Sequence, residues 1–208
     1  MVTDFRKQIV ADGYDVIAHR YLAWGAGVHG DPHDAMVAEL AGRLPDGARV
    51  LDLGCGAGTT ARALAPRLAV TGVDISAGQI ALARANVPEG EFAVGDLASA
   101  DYPPASFDAV VALYSISHVP RDEHARLFRS IACWLAPGGW LLASLGATDA
   151  PGRTDDWLGV PMFFSAWDAV TNRALLREAG FELVIAEVRT MSEPEGDVSF
   201  LWVLARAH

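Results

Sequence analysis

Three glycines within five positions, Gly54, Gly56 and Gly58, follow directly on the apolar run Val50-Leu51-Asp52-Leu53. A strand that breaks into such a loop lets the backbone approach a ligand closely before the next helix begins. The spacing is G-x-G-x-G rather than the dinucleotide pattern G-x-G-x-x-G, since Thr59 and Thr60 follow Gly58. On its own the loop is either a nucleotide cradle or a tight strand-to-helix turn. Asp74 ends a second apolar run twenty residues after Gly54, where a ribose diol needs an acceptor pair. Dinucleotide-binding domains share that acid, so it points to adenosine without choosing a cofactor. Asp96 follows a third run, placed to accept from an adenine amino group. His118 stands four residues beyond Tyr114, just past a fourth run, and is the candidate general base or orienting group, the alternative being a histidine packed under the following helix. His124 falls in helical register with Leu127, Phe128, Ile131 and Leu135 and reads as a packing residue instead.

These residues need a scaffold, and the chain supplies one by alternation. Apolar runs at Arg49–Leu53, Ala69–Val73, Glu91–Val94, Phe107–Leu113, Trp140–Leu145, Leu183–Val188 and Phe200–Ala205 read as strands. Helical patterns lie at Thr59–Leu68, Ser76–Ala85, Arg121–Leu135 and Asn172–Ala179, the last stopped by Gly180. The alternation predicts an α/β domain with a mostly parallel sheet covered on both faces. Two strands close the chain with only the linker Met191–Val198 between them, so one antiparallel strand is expected near an edge.

Two segments fall outside this core. Residues 1–40 contain Tyr14, His19, Tyr21, Trp24, His29 and His33, and residues 147–171 contain Trp157, Pro161, Met162, Phe163, Phe164 and Trp167. Aromatic-rich segments flanking an α/β core read as a cap and a lid over a ligand site. The whole is expected to be one domain over residues 1–208.

Composition narrows the clients. The net charge is −10, with one lysine (Lys7) beside fifteen arginines and no basic run, which disfavours a nucleic-acid substrate. Cys55 and Cys133 have neither zinc-ligand nor disulfide-framework spacing and fit a reducing cytoplasm. The N-terminus is too polar for a signal peptide, and no apolar stretch is long enough to span a membrane. The expected protein is cytoplasmic, with no membrane partner.

The stretches DLGCGAG, GVDIS, GDL, FDAVVALYSISHV and LAPGGWLL stand in this order over about residues 48–146. In that order and spacing the chain resembles the class I S-adenosylmethionine-dependent methyltransferases, of the bacterial small-molecule type. The resemblance implies a Rossmann-like seven-stranded sheet, with S-adenosylmethionine as cofactor. It implies that Gly54, Gly56 and Gly58 wrap the methionine moiety, with Asp52 near its amino end. Asp74 would take the ribose hydroxyls, Ile75 and Gln79 would flank the adenine, and Asp96 and Leu97 would meet its edge. Tyr114 would border the sulfonium. Tyr14 and Tyr21 would either touch the acceptor or roof the cofactor carboxylate, since the stretch YDVIAHRY resembles an opening segment of small-molecule members.

Methyl transfer from a sulfonium needs alignment, water exclusion and a base only for a protonated nucleophile. ALYSIS stands where base and amide methylating enzymes carry NPPY or DPPY, neither cysteine is placed to attack a pyrimidine, and no acid cluster for magnesium follows the fourth strand. The expectation is a metal-independent O- or N-methyltransferase for a small apolar or aromatic acceptor, touched by Trp24, Trp157, Met162, Phe163 and Phe164. The competing readings are a non-catalytic binder of S-adenosylmethionine or S-adenosylhomocysteine, and a nicotinamide-dependent reductase. The glycine spacing and the absence of a Tyr-x-x-x-Lys pair disfavour the reductase.

Overall fold

The computed structural model describes residues 4–208. Seven strands form one sheet: β1 (Arg49–Leu53), β2 (Ala69–Asp74), β3 (Glu91–Val94), β4 (Phe107–Ala112), β5 (Leu135–Gly146), β8 (Phe181–Glu193) and β9 (Gly196–Ala207). Their order is β3-β2-β1-β4-β5-β9-β8, and β9 alone runs opposite to the other six strands, one position in from the edge. Between β1 and β4 the strand order reverses, and at such a switch point the carboxyl ends of the strands open a crevice.

Strand alternation divides the core into two layers. Leu51 and Leu53 of β1 and Val110 of β4 face α5 (His124–Trp134) and α6 (Ala169–Glu178), meeting Leu127, Phe128, Ile131 and Leu176. Val50 and Val111 face the other way, toward α2 (His33–Ala41), α3 (Thr59–Leu64) and α4 (Ala77–Asn86). Phe128 and Trp202 are wholly buried in opposite layers, each removing enough apolar surface for about 1.5–3 kcal/mol. Helix starts follow local chemistry: Ser76 accepts from the Gln79 amide and Asp168 from the Thr171 amide, so α4 and α6 begin on side-chain caps. His124 is buried on α5 with Nε2 against the Val119 carbonyl, the packing role its register predicts.

The segment 147–171 is more ordered than a loop. It forms a separate hairpin of β6 (Ala150–Trp157) and β7 (Val160–Ala166), turning at Leu158-Gly159 with both residues at positive φ. That two-residue turn matches the strand twist, but Leu158 lacks the asparagine or aspartate that marks it in a sequence. The Met191–Val198 linker is also mostly strand: β8 and β9 stay paired to Glu193 and Gly196, leaving Pro194 and Glu195 as the turn. This arm rises past the sheet and bridges to the N-terminal segment at His29 and Ser192.

Helix α1 (Phe5–Trp24) caps the carboxyl edge of the sheet and packs on β7 through Val10, Ile17, Met162 and Phe163. The two come close because α1 presents Gly13, where a Cβ would lie 2.8 Å from Met162 Cε and 3.1 Å from the Pro161 carbonyl oxygen. Gly13→Val should therefore pry α1 from the hairpin. Hydrogen exchange should quicken together in α1 and β6–β7 while amides of β1 and β4 stay protected; unchanged exchange in α1 would refute this packing account.

Candidate active site

The carboxyl ends of β1, β2 and β4, with α1 above them, enclose a pocket. Gly54 and Gly56 form its floor, with φ of 76° and 52°. A Cβ on Gly54 would sit 2.3 Å from Ser115 Cβ, so no other residue fits there. A Cβ on Gly56 would project into open space, with Gln79 Oε1 at 3.8 Å as its nearest neighbour. Asp74 holds the loop in shape, accepting from the Gly56 amide and the Ser76 amide, each at 2.9 Å. Burial raises the Asp74 carboxyl above the usual range, against the pull of those two amides.

Of the residues singled out in the sequence, Tyr14, Tyr21, Asp74, Ile75, Gln79, Asp96, Leu97, Tyr114 and His118 all line this pocket. Two expected residues do not. Gly58 is packed against α4, where a Cβ would meet Val87 Cγ2 at 3.2 Å and the Ala83 Cα at 3.3 Å; it serves the α3–α4 seam and the left-handed start of α3. Asp52 lies beneath the loop, 2% exposed, with Oδ2 unpartnered. Burial, and then the neighbouring Asp74 charge, push its carboxyl up to about 7.

Lys7, the one lysine of the chain, reaches down from α1 to Asp96 at 2.7 Å and Glu123 at 2.8 Å. Asp96 also accepts from Ser99 Oγ and the Ala98 amide, so most of its acceptor capacity is used inside the protein. Burial opposes its charge, but the hydrogen bonds from Lys7 and Ser99 outweigh burial and hold the carboxyl below the usual range. Sequence pattern gives no sign of this clasp, because a lysine early in a helix reads as a solvated surface residue.

Past the pocket, a groove of about 980 Å³ continues from the shared wall of Tyr14, Tyr21, Tyr114 and His118. Trp24, Trp157 and Phe164 line it, with His29 and His33 on its far side. Met162 and Phe163, expected as acceptor contacts, are instead buried in the seam between α1 and β7 at 0% and 5% exposure. They carry packing, because the hairpin turns that surface onto the helix. The groove also recruits residues the sequence does not single out: Asp31, and Met191, Glu193, Glu195 and Phe200 from the β8–β9 arm.

His118 sits in the short turn Ile116–His118 after β4, fixed on both ring nitrogens. Its Nδ1 lies 2.8 Å from the Phe163 carbonyl oxygen and its Nε2 lies 2.9 Å from Tyr14 Oη. A carbonyl only accepts, so Nδ1 carries the hydrogen and the Tyr14 hydroxyl donates to Nε2. Burial lowers His118 to about 4, so the ring is neutral at pH 7. With its proton committed, Tyr14 Oη presents lone pairs to the pocket.

These features describe a domain that cradles an adenosine-type cofactor at a sheet switch point and keeps an aromatic chamber beside it. The buried Gln79 side-chain carboxamide, bonded to nothing among the described residues, and the glycine floor both fit such a ligand. A methyltransferase-domain family model matches residues 50–139. The chain is 33% identical over 156 residues to wheat phosphoethanolamine N-methyltransferase, covering 71% of this chain and 30% of that protein. It is 34% identical over 154 residues to the 27-O-demethylrifamycin SV methyltransferase of Amycolatopsis mediterranei, covering 64% and 56%. The chain thus spans about a third to a half of the length of these curated relatives. Magnesium protoporphyrin IX methyltransferase from Synechocystis, solved with bound S-adenosylmethionine, superposes over all of both chains with a TM-score of 0.74 at 22% identity. The chain belongs to the class I S-adenosylmethionine-dependent methyltransferases, and S-adenosylmethionine is their cofactor.

Asp52 yields a test with a defined sign. Its raised folded value means the folded protein keeps a proton that the unfolded chain loses between about pH 4 and 7, so wild-type stability falls across that window. Asp52→Asn should remove the slope, its melting-temperature advantage growing from pH 4 to 7 and levelling above. The expectation that Asp52 stands near the cofactor amine is tested by the same variant, which should then bind S-adenosylhomocysteine more weakly at pH 8. Parallel stability profiles, or equal affinity, would count against the assignment.

Proposed function

We propose that this chain transfers the methyl group of S-adenosylmethionine to an O–H or N–H group of a small acceptor, without a metal. The observation that carries the reading is the fixed Tyr14–His118 pair between the cofactor pocket and the aromatic groove. The cofactor supplies a methyl group already activated on a sulfonium. The protein's share is to bind, align and exclude water. Gly54 and Gly56 would pass beside the methionine part, Asp52 would balance its amino group, Asp74 would accept from the ribose, and Ile75, Gln79 and Leu97 would enclose the adenine. Asp96, engaged by Lys7, would act mainly by holding α1 down, with its remaining acceptor capacity facing the adenine edge.

Tyr14 Oη, its hydrogen given to His118, can only accept from an acceptor molecule. It therefore selects a nucleophile that carries a hydrogen and aims the opposite lone pair at the methyl. His118 is revised from general base to positioning residue: a ring lowered to about 4 with Nε2 already engaged is a weak proton sink. Tyr114, whose hydroxyl donates to Asp31, would close the sulfonium side, and Trp24, Trp157 and Phe164 would bury the acceptor's apolar body. Small acceptors are also the named substrates of the relatives, whereas the acidic chain gives a phosphate backbone no landing surface. We place the activity in the cytoplasm, where Cys55 and Cys133 stay reduced. Residues 1–40 and 147–171 act as cap and lid of a single domain.

Calorimetry should show S-adenosylhomocysteine binding and no nicotinamide-dinucleotide binding; the reverse would sink the proposal. Tyr14→Phe should lower kcat by about ten- to a hundredfold, the cost of one or two hydrogen-bond energies, while cofactor affinity stays within about twofold. His118→Ala should give the same split, with His118→Asn restoring part of kcat. Cofactor binding with no turnover on any amine, phenol or carboxylic acceptor would move the reading to a non-catalytic binder.

A further inference from the structure

The groove wall beyond the catalytic tyrosine is acidic and aromatic at once. Asp31, Asp155, Asp156, Glu193 and Glu195 line it, against two arginines, Arg62 and Arg153. Arg153 is paired with Asp155 at 2.6 Å, so it offers little to an incoming anion. In the same lining Tyr21, Trp24 and Trp157 gather with ring centroids 5.5–5.7 Å apart, and Glu195 holds Trp24 by accepting from its Nε1. Acidic side chains alone would be an ordinary solvated rim. Here they border an aromatic chamber that shares Tyr14, Tyr21, Tyr114 and His118 with the cofactor pocket.

Glu193 is the carboxylate to single out. It is half-buried on the β8–β9 arm, and among the described residues no salt bridge reaches it, while Asp31 is engaged by Tyr114 and Glu195 by Trp24. Burial, with the like charges of Glu195 and Asp31, pushes its carboxyl up to about 7. Its charge acts on Tyr14, Tyr21 and Tyr114, the residues at the junction of pocket and groove. A half-buried carboxylate crowded by two others is relieved by a cation, and aromatic faces attract the same kind of guest.

We propose that the methyl acceptor is an amine that enters as its ammonium ion, with Glu193 as counter-charge and the Tyr21–Trp24–Trp157 rings against its apolar body. This rests on the methyltransferase reading and narrows it to N-methylation. The atoms balance simply. One ammonium proton passes to the Glu193 carboxylate, the freed nitrogen lone pair forms the N–C bond, and the C–S electron pair stays on sulfur as the thioether. The product leaves as the methylated ammonium. The same wall works against phosphorylated or carboxylated acceptors, because each would set a second anion beside Glu193.

The test is binding to the complex with S-adenosylhomocysteine, measured by calorimetry on the full chain. The probes are 2-phenylethylamine, 2-phenylethanol and 3-phenylpropionate, which share an aromatic body and differ in charge. The amine is expected to bind at least about tenfold tighter than the alcohol, the worth of one charge-assisted contact, and the carboxylate not at all. Glu193→Gln should remove that preference while leaving 2-phenylethanol and S-adenosylhomocysteine affinity unchanged, and thermal melting should show the variant folded. Asp197→Asn, on the same arm but outside the groove lining, should keep the preference. Carboxylate binding equal to the amine, no binding of the amine, or an unaltered preference in Glu193→Gln would overturn the proposal. Failure to bind S-adenosylhomocysteine would instead overturn the methyltransferase reading beneath it.

Discussion

One chain of hydrogen bonds ties the working parts together: Tyr14 Oη to His118 Nε2, and His118 Nδ1 to the Phe163 carbonyl. It joins the N-terminal cap, the rim of the sheet and the β6–β7 hairpin, three elements far apart in sequence. The carbonyl fixes the imidazole tautomer, the tautomer fixes which way the phenol donates, and the phenol then faces the pocket with lone pairs. Reversal of any one step would leave a buried polar atom unpaired, at a cost of about 1–3 kcal/mol. The arrangement is therefore self-consistent in only one sense, and that sense decides what the site can accept.

Charge is managed by place rather than by amount. Asp52 and Asp74 lie beneath and beside the glycine loop, where burial raises both. Asp96 and Glu123 are satisfied by Lys7, the single lysine, which makes α1 part of the cofactor pocket rather than a loose appendage. In the outer groove Asp155 is paired with Arg153, Asp31 accepts from Tyr114 and Glu195 from Trp24, while no salt bridge among the described residues reaches Glu193. The same residue type thus holds the loop, latches the cap and colours the acceptor chamber, according to what surrounds it.

Much of the sheet was legible because its signals are local. The short apolar runs of β1, β2 and β4, buried on both faces, the Gly180 stop after α6 and the Ser76 cap of α4 depend on neighbours a few residues away. Where the sequence expectation fell short, the deciding contact was distant. Met162 and Phe163 look like lid aromatics in a list of residues, yet Gly13, about 150 positions earlier, draws α1 onto them and buries both. The linker expected at Met191–Val198 is strand because its partner residues are paired across the turn, and that extension alone carries Glu193 into the groove.

The sequence by itself determined the parallel sheet, the glycine cradle, the acids that serve it and the family, since each is written in residue type at short, fixed spacing. Tertiary structure decided that Gly58 packs on α4, that Lys7 occupies Asp96, and that His118 spends its lone pair on Tyr14. It also decided that acids from two ends of the chain meet across one aromatic groove. These are properties of packed partners, and side-chain desolvation and hydrogen-bond direction are set only when burial has chosen which groups meet.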